Sequence, residues 1–317
     1  MHNHFYGLAE DPFGLAPEPR FFFSTENHKE TIDSLSDGIR DGEGLILLTG
    51  ENGLGKTTLI QQLLLILPPH ITAIPIFHPI KTFADLLEVI LRQLNLPLEE
   101  KSKGYMLSHF DDFLYQKSAQ GETLAIIVDE AQNLSTEVME ELRLLCNPDP
   151  RKPRLLKEVF VAEPQIHEKL NSPELRQLNQ RITIRRQLRP LTEEESWHYL
   201  VHRLNAVGKN ISEIFTPEAV SLICRNAKGI PRYLNTICYI AMSAGYALNQ
   251  KSIDSPLVHK IIPIFGGQQL GKWRRLRDTL RPSAARLEKS PLITKISFLL
   301  LAYSLLAWII FFLLTLK

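Results

Sequence analysis

The residue types in segment 45–58 are suited to holding a phosphate group. Gly50, Gly55, Lys56 and Thr57 match the pattern G-x-x-x-x-G-K-[ST], which lies between two apolar runs. Glycine lets backbone N–H groups turn toward an anion, because no Cβ blocks the approach. Lys56 can reach the outer phosphates of a nucleotide, and Thr57 can give a hydroxyl ligand to Mg²⁺. We therefore predict a nucleotide site whose phosphate-binding residues are Gly50, Glu51, Asn52, Gly53, Leu54, Gly55, Lys56, Thr57 and Thr58.

Two adjacent acids are the second candidate for chemistry. Residues 124–128 are apolar without interruption, which is typical of a buried parallel strand, and Asp129 and Glu130 follow directly. Open α/β sheets bind ligands at the carboxyl ends of their strands. Asp129 could hold Mg²⁺ through water, and Glu130 could orient and partly deprotonate an attacking water. An acid pair can also simply begin a loop or helix, but the phosphate loop upstream favours a metal site formed by Thr57 and Asp129.

The elements that must position these residues follow from hydrophobic periodicity. Strands are predicted over 45–49, 71–77, 124–130, 158–162 and 181–188, and helices over 57–67, 82–94, 105–118 and 137–146. From residue 191 the pattern is helical, with predicted helices ending near 207, 227, 248 and 264. Alternating strands and helices indicate an α/β domain with a parallel sheet, followed by a small helical domain.

Composition limits the classes of function. The formal net charge of the 317 residues is +1, so charge alone does not make the chain a binder of polyanions. Three cysteines form no C-x-x-C pair and ten histidines form no cluster, which favours reduced thiols and no cysteine or histidine metal site. Four arginines lie in residues 181–189, where the predicted strand alternates in polarity, and we interpret them as a solvated strand face rather than a nucleic-acid patch.

The two ends of the chain differ in hydrophobicity. The N-terminal 20 residues contain acids and prolines where a signal peptide needs an apolar stretch. Residues 296–316 carry no charge, and as a helix they would extend roughly 31 Å, the thickness of a bilayer core. We predict a transmembrane helix over 292–317 and a basic linker over 265–291. The excess of Lys and Arg before the span predicts that the globular body lies in the cytoplasm.

The basic linker has two interpretations. It could be a solvated tether with no partner, or it could lie on anionic lipid, where each charge contributes about 1 kcal/mol. We favour the lipid interpretation.

Eight runs of residues together resemble the AAA+ ATPases of the general secretion pathway protein A (ExeA-like) family, over about residues 5–250. They lie at residues 5–8, 11–13, 19–21, 50–57, 128–134, 140–145, 175–182 and 229–232. The resemblance implies a P-loop AAA+ parallel sheet with flanking helices over 1–190, a small α-helical lid domain over 191–264, and ATP and Mg²⁺ as ligands.

The resemblance also implies an oligomer with a catalytic site between subunits. Arg232, at the start of a lid helix, would be the sensor-2 arginine that couples the γ-phosphate to the lid position. Arg181 is the first candidate for the arginine finger that reaches a neighbour's nucleotide, and Arg176 is the second. An arginine suits both roles because it stays charged and forks onto phosphate oxygens. The alternative for Arg181 is an ion pair with a local carboxylate.

The chain departs from the family pattern in two respects. The end of the fourth strand usually reads Gly-Gln-Pro in the family, whereas here it reads Ala162-Glu163-Pro164. A carboxylate at that position would repel phosphate unless it is protonated or paired with a cation, so γ-phosphate sensing and fast turnover are in question. Family members often carry a peptidoglycan-binding domain beyond the membrane, which this sequence is expected to lack.

Three functions are compatible with these features. The first is an ATPase anchored in the bacterial inner membrane by a single C-terminal span. It would form a homo-oligomer and use ATP hydrolysis to assemble or position a secretion, pilus or polysaccharide-export machine together with inner-membrane or envelope-assembly proteins. The second is a nucleotide-gated oligomeric scaffold with little hydrolysis, motivated by Glu163. The third is a DNA-acting, transposition-like ATPase, against which the predicted membrane span argues.

Overall fold

The fold is an α/β domain joined to a helical domain. The structure, a computed structural model, describes residues 2–14, 18–41, 44–146 and 156–265 of the chain. Its strands are β1 (Leu45–Thr49), β2 (Ile71–Ile76), β3 (Thr123–Val128), β4 (Leu156–Ala162) and β5 (Ile182–Gln187). The helices of the first domain and of the N-terminal segment are α1 (His2–Phe5), α2 (Glu26–Arg40), α3 (Lys56–Ile66), α4 (Phe83–Gln93), α5 (Lys103–Ala119), α6 (Thr136–Leu145), α7 (Ile166–Leu170) and α8 (Arg176–Gln180). Those of the helical domain are α9 (Glu193–Asn205), α10 (Pro217–Ala227), α11 (Pro231–Ala247) and α12 (Ser255–Phe265).

The five strands form one parallel sheet in the order β2-β3-β4-β1-β5. Alternate residues of β1 lie on opposite faces of the sheet. Leu45 and Leu47 belong to the core beneath α4, α5 and α6. Ile46 and Leu48 belong to the core beneath α2 and α3. Since both faces are covered, the central strands β1 and β3 read as nearly continuous apolar runs. The predicted parallel sheet with flanking helices is therefore confirmed.

Short polar signals set the helix starts. Thr25, Thr82 and Thr192 each accept a hydrogen bond from the backbone N–H three residues ahead, and each belongs to a capping box. Thr216 caps α10, which begins with Pro217. Of these starts, that of the predicted helix over 82–94 agrees with the structure to within one residue.

The N-terminal segment differs from its prediction. The sequence placed all of residues 1–190 in the nucleotide-binding domain, but Tyr6, Leu8 and Phe13 are buried in the core of the helical domain. The Tyr6 hydroxyl donates to the backbone carbonyls of Met242 and Gln250, both at 3.1 Å. The physical reason is that this apolar segment finds its complementary surface on α9 and α11, far away in sequence.

Among residues 2–265, within the described ranges, no helix is long and apolar enough to cross a membrane. The predicted span over 292–317 and nearly all of the predicted linker over 265–291 lie outside the residues that the structure describes.

Candidate nucleotide-binding site

The phosphate loop joins β1 to α3 and requires glycine at two positions. Gly53 and Gly55 have φ angles of 88° and 93°, in the left-handed region that a Cβ disfavours. At Gly53 a Cβ would also come within 2.7 Å of Arg232 Cβ. The loop therefore combines a backbone conformation specific to glycine with close contact to the helical domain.

Lys56 lies at the centre of this loop. Its ammonium donates to the carbonyls of Gly50 at 2.8 Å and Glu51 at 3.2 Å, and only 5% of the residue is exposed. Burial lowers the pKa of Lys56, while the negative charges of Glu130, Glu163 and Asp129 oppose that shift. The lysine thus supplies a partly desolvated positive charge surrounded by the acids of two strand ends.

Thr57 and Asp129 meet although they are 72 residues apart. The Thr57 hydroxyl donates to Asp129 Oδ2 at 2.5 Å, and Asp129 Oδ1 accepts the backbone N–H of Glu130 at 2.8 Å. Hydroxyl and carboxylate oxygens suit Mg²⁺, which in phosphate sites uses one or two protein carboxylates and takes its other ligands from phosphates and water. Among the described residues, no group of three or more His, Cys, Asp or Glu side chains could hold a metal. The donor set fits the predicted Mg²⁺.

Glu130 lines the same cleft immediately after Asp129. Its backbone is left-handed, with φ 53°, which turns the chain sharply at the end of β3. The carboxylate accepts a hydrogen bond from Gln132 Nε2 at 2.6 Å. Gln132 is a site residue that the sequence analysis did not single out, because a neutral amide within a short turn carries no chemical signal of its own.

Glu163 directly follows the last residue of β4 and lies near Lys56. Its backbone N–H donates to Gln132 Oε1 at 3.1 Å, and its negative charge is among those that act on Lys56. Among the described residues, the Glu163 carboxylate forms no salt bridge. The position expected to sense the γ-phosphate therefore presents a carboxylate facing the P-loop lysine.

Arg232 connects the helical domain to the phosphate loop. Its guanidinium donates to Asn52 Oδ1 at 2.6 Å, and its backbone N–H donates to the Gly53 carbonyl at 3.2 Å. The residue occupies the first turn of α11. The structure therefore brings Arg232 beside the predicted phosphate-binding residues, and its sensor role stays a prediction.

Arg181 lies away from this cleft in its own chain. Its guanidinium donates to the carbonyls of Arg143 at 2.7 Å and Cys146 at 2.9 Å, at the C-terminal end of α6. A cation suits that end of a helix because the last carbonyls are otherwise without intrahelical partners. Arg176, the second candidate finger, is exposed at the first position of α8. Neither arrangement tests a role in a neighbouring subunit, so the finger assignment stays a prediction.

The rest of the cleft, of about 290 Å³, is lined by aromatic and polar side chains from two sources. The N-terminal segment contributes Phe21, Phe22 and Phe23, and the helical domain contributes Tyr199, Arg203 and Asn235 as well as Arg232. The Arg203 guanidinium lies 4.3 Å from the ring centre of Phe21 and donates to the Gly14 carbonyl at 2.9 Å. The run of three phenylalanines was the only available sequence signal for this wall.

Comparison with known proteins supports the fold. Residues 39–170 match the AAA domain family. The structure resembles the Aeropyrum pernix ORC2 protein in its ADPNP-ADP complexes, with a TM-score of 0.63 and 16% identity over 84% of this chain and 75% of that chain. For Cdc6p from Pyrobaculum aerophilum the TM-score is 0.62 at 16% identity, over 78% of this chain and 68% of that chain. For the RuvB Holliday junction branch migration motor of Thermotoga maritima it is 0.50 at 18% identity, over 82% and 77%. At these identities the likeness shows the fold alone.

A relative at higher identity is general secretion pathway protein A of Aeromonas hydrophila. The two are 37% identical over 278 residues, which cover 86% of this chain and 50% of that protein. The chain thus spans about half the length of this curated relative. The resemblance inferred from the eight sequence runs is confirmed: the chain carries an AAA domain and is related to general secretion pathway protein A.

Proposed function

We propose that this chain is a membrane-anchored AAA+ ATPase that binds and hydrolyses ATP in the cleft between its two domains. The observation that carries the proposal is that one cleft brings together Lys56, the Thr57–Asp129 pair and Glu130. These groups supply a cation for phosphate, oxygen ligands for Mg²⁺ and a carboxylate for water. Nucleotide binding alone would not require the carboxylate of Glu130.

Each residue has a role that follows from its chemistry. Backbone N–H groups of the phosphate loop and the Lys56 ammonium bind the β- and γ-phosphates. Thr57 and Asp129 would hold Mg²⁺, which when bound neutralises charge on the phosphate oxygens. Glu130 accepts a proton from the attacking water as the water oxygen bonds to the γ-phosphorus, while the bond from that phosphorus to the β,γ-bridging oxygen breaks and ADP leaves. Arg232 would contact the γ-phosphate and pass its presence to the lid helix α11.

The proposed cellular role rests on the relative and on the C-terminal sequence. The Aeromonas hydrophila protein is named for the general secretion pathway, and the apolar segment 296–316 would place the ATPase on the cytoplasmic face of the bacterial inner membrane. We propose that the chain forms a homo-oligomer there and uses ATP hydrolysis to assemble or position a secretion, pilus or polysaccharide-export machine.

The first test is ATP turnover by the full chain purified in detergent. Lys56→Ala removes the cation at the centre of the phosphate loop, so we expect ATP to bind at least tenfold more weakly, roughly the loss of one charged hydrogen bond, and phosphate release to fall with it. Lys260→Ala, an exposed lysine on α12, is the matched control and should behave as the wild type. Equal phosphate release from all three proteins would overturn the enzymatic proposal.

Glu163 favours a second candidate, a nucleotide-gated scaffold with little hydrolysis. A carboxylate facing Lys56 competes with the γ-phosphate for the same cation and repels it. Tight ATP binding by the wild-type chain, combined with single-turnover hydrolysis near the uncatalysed rate, would favour the scaffold over the enzyme.

A further inference from the structure

The side chain of Gln132 connects two segments of the chain that the sequence treats separately. Its Nε2 donates to Glu130 Oε2 at 2.6 Å, and its Oε1 accepts the backbone N–H of Glu163 at 3.1 Å. One amide therefore connects the carboxylate expected to activate water with the end of β4.

The orientation of this amide is fixed by its partners. The backbone N–H of Glu163 can only donate, so it must face the oxygen of the Gln132 amide. That leaves the NH₂ group for Glu130, whose ionised carboxylate can only accept. The reversed amide would set donor against donor and acceptor against acceptor, so the network permits a single arrangement.

The turn that carries Gln132 is also held from a third side. Gln132 lies in the 3-10 turn Ala131–Asn133, directly after Glu130. Lys169, on α7, donates to the Gln132 carbonyl at 3.3 Å and to the Leu134 carbonyl. The amide is therefore presented from a fixed backbone, although the Gln132 side chain is only half-buried.

The Glu130 carboxylate remains directed into the cleft while it is bonded to Gln132. Its charge is the strongest of the charges that act on Lys56, and Glu130 lines the cleft beside the phosphate loop. A carboxylate has two oxygens, and the amide occupies Oε2, which leaves Oε1 available to accept a proton from water. The contact thus orients the base without blocking it.

We propose that Gln132 is a positioning residue for ATP hydrolysis: its amide holds Glu130 in its water-activating orientation and ties that orientation to the backbone of Glu163 at the end of β4. The inference rests on the proposed hydrolytic function of Glu130. In addition, any shift of the end of β4, where the γ-phosphate would be sensed, is transmitted to Glu130 through the side chain of Gln132.

Two substitutions separate the donor role of the amide from its structural role. Gln132→Met keeps the length of the side chain but removes both hydrogen bonds. Gln132→Glu keeps the acceptor for the Glu163 N–H and replaces the donor by a carboxylate beside Glu130. Asn133→Asp is the matched control, because it adds a carboxylate to the next residue of the same turn, on an exposed side chain.

For Gln132→Met we expect kcat to fall roughly tenfold, less than the loss of the base itself, with KM for ATP and the Kd of a fluorescent ATP analogue within about twofold of the wild type. For Gln132→Glu we expect a similar loss at about pH 8 that diminishes toward about pH 6. The reason is that two adjacent carboxyls share a proton, and the protonated one can donate to the other. For Asn133→Asp, the ratio of its kcat to that of the wild type should stay near one at every pH.

The charged groups that act on Lys56 beside this pair are Glu130 itself, Asp129, Glu163 and Arg232. Lys169 from α7 donates to the Gln132 carbonyl. They are the same in every variant, so a change confined to Gln132→Glu reports the new carboxyl pair.

The outcomes distinguish this inference from the function beneath it. A wild-type chain that binds ATP but does not hydrolyse it would overturn the proposed function and this inference with it. A wild-type chain that hydrolyses ATP, with both Gln132 variants retaining its kcat at every pH, would overturn the inference alone.

Discussion

At the scale of single residues, the site is organised around the charge of Lys56. Its ammonium is buried against the carbonyls of its own loop, with carboxylates of Asp129, Glu130 and Glu163 acting on it. A desolvated cation surrounded by carboxylates binds a phosphate chain strongly only if those carboxylates are neutralised or lie away from the phosphates. The Thr57–Asp129 contact and a bound Mg²⁺ would do so for Asp129.

Arg232 provides a prediction at this scale. In Arg232→Ala the hydrogen bond to Asn52 and the positive charge beside the phosphate loop are both lost. We expect the KM for ATP to rise by up to about tenfold. A hydrogen bond to a charged group contributes roughly 1.5 kcal/mol at the low end of its usual range, and the low end applies because the Arg232–Asn52 pair is exposed. Steady-state phosphate release measures this.

Arg225→Ala is the control for Arg232→Ala. Arg225 lies on α10 and pairs with Glu193 on the surface of the helical domain. If both variants had the wild-type KM and kcat, Arg232 would have no part in nucleotide binding.

Residues with a fixed spacing could be predicted from the sequence, and residues defined by tertiary contact could not. Lys56, Thr57 and Asp129 have residue types that phosphate and Mg²⁺ demand, so their roles follow from the pattern. Gln132 and Arg203 act through hydrogen bonds to backbone groups that are brought near only by folding. For Arg181 the sequence suggested a carboxylate or a neighbouring nucleotide as its partner, and folding adds hydrogen bonds to the carbonyls of Arg143 and Cys146 at the end of α6.

At the scale of elements, the positions of strands and helices followed from periodicity, but the spatial order of the strands did not. Parallel strands such as β1 and β3 are apolar over nearly their whole length, so either order would bury them equally well. The contact of the N-terminal segment with the helical domain was also missed. Tyr6 and Phe13 are apolar enough for any core, and nothing local indicates which one they join.

Glu158, on the central strand β4, yields a prediction about stability and pH. It is 1% exposed, and both carboxylate oxygens are buried. Burial raises the pKa of Glu158 to about 7, opposed by the thiol of Cys146 and the charges of Arg181 and Arg143. The folded state therefore holds a proton that the unfolded state releases at lower pH, so this group's contribution to stability is full below about pH 4.5 and is lost as the pH rises through 7.

Glu158→Gln should remove this pH dependence. The amide is neutral at every pH, so we expect the variant to be more stable than the wild type above about pH 8, by up to about 3 kcal/mol, and similar to it near pH 5. Urea unfolding at both pH values measures the difference. Glu122→Gln, at a half-buried ion pair with Lys117 outside the sheet interior, is the control. A stability difference that is the same at both pH values would contradict this explanation.

At the scale of the whole molecule, the central question is whether the site is shared between copies of the chain. Arg181 and Arg176 both lie outside the cleft of their own chain, as a residue that serves a neighbour would. The bonds of Arg181 to α6 would have to be exchanged for phosphate contacts, whereas Arg176 is exposed at a helix start.

Mixed oligomers test this arrangement. Lys56→Ala keeps its arginines but cannot bind ATP well, and an arginine-finger variant keeps its phosphate loop. If the finger acts in trans, mixing Lys56→Ala with Arg181→Ala, or with Arg176→Ala, should raise phosphate release above the sum of the separate proteins. Mixing Lys56→Ala with Glu130→Gln is the control. Each substitution disables the nucleotide site of its own chain, so no subunit of the mixture keeps an intact site. No gain in either arginine mixture would contradict a shared site.

For the whole molecule, Glu130→Gln tests whether ATP binding leads to hydrolysis. The substitution keeps the shape of the side chain and removes its capacity to accept a proton. We predict an unchanged Kd for ATP, within about twofold, and a fall of roughly 10²- to 10⁴-fold in the single-turnover rate of phosphate release by the full chain in detergent. Glu218→Gln, an exposed glutamate on α10, should keep the wild-type rate. Equal rates for Glu130→Gln and the wild type, at equal ATP occupancy, would contradict the proposed ATPase mechanism.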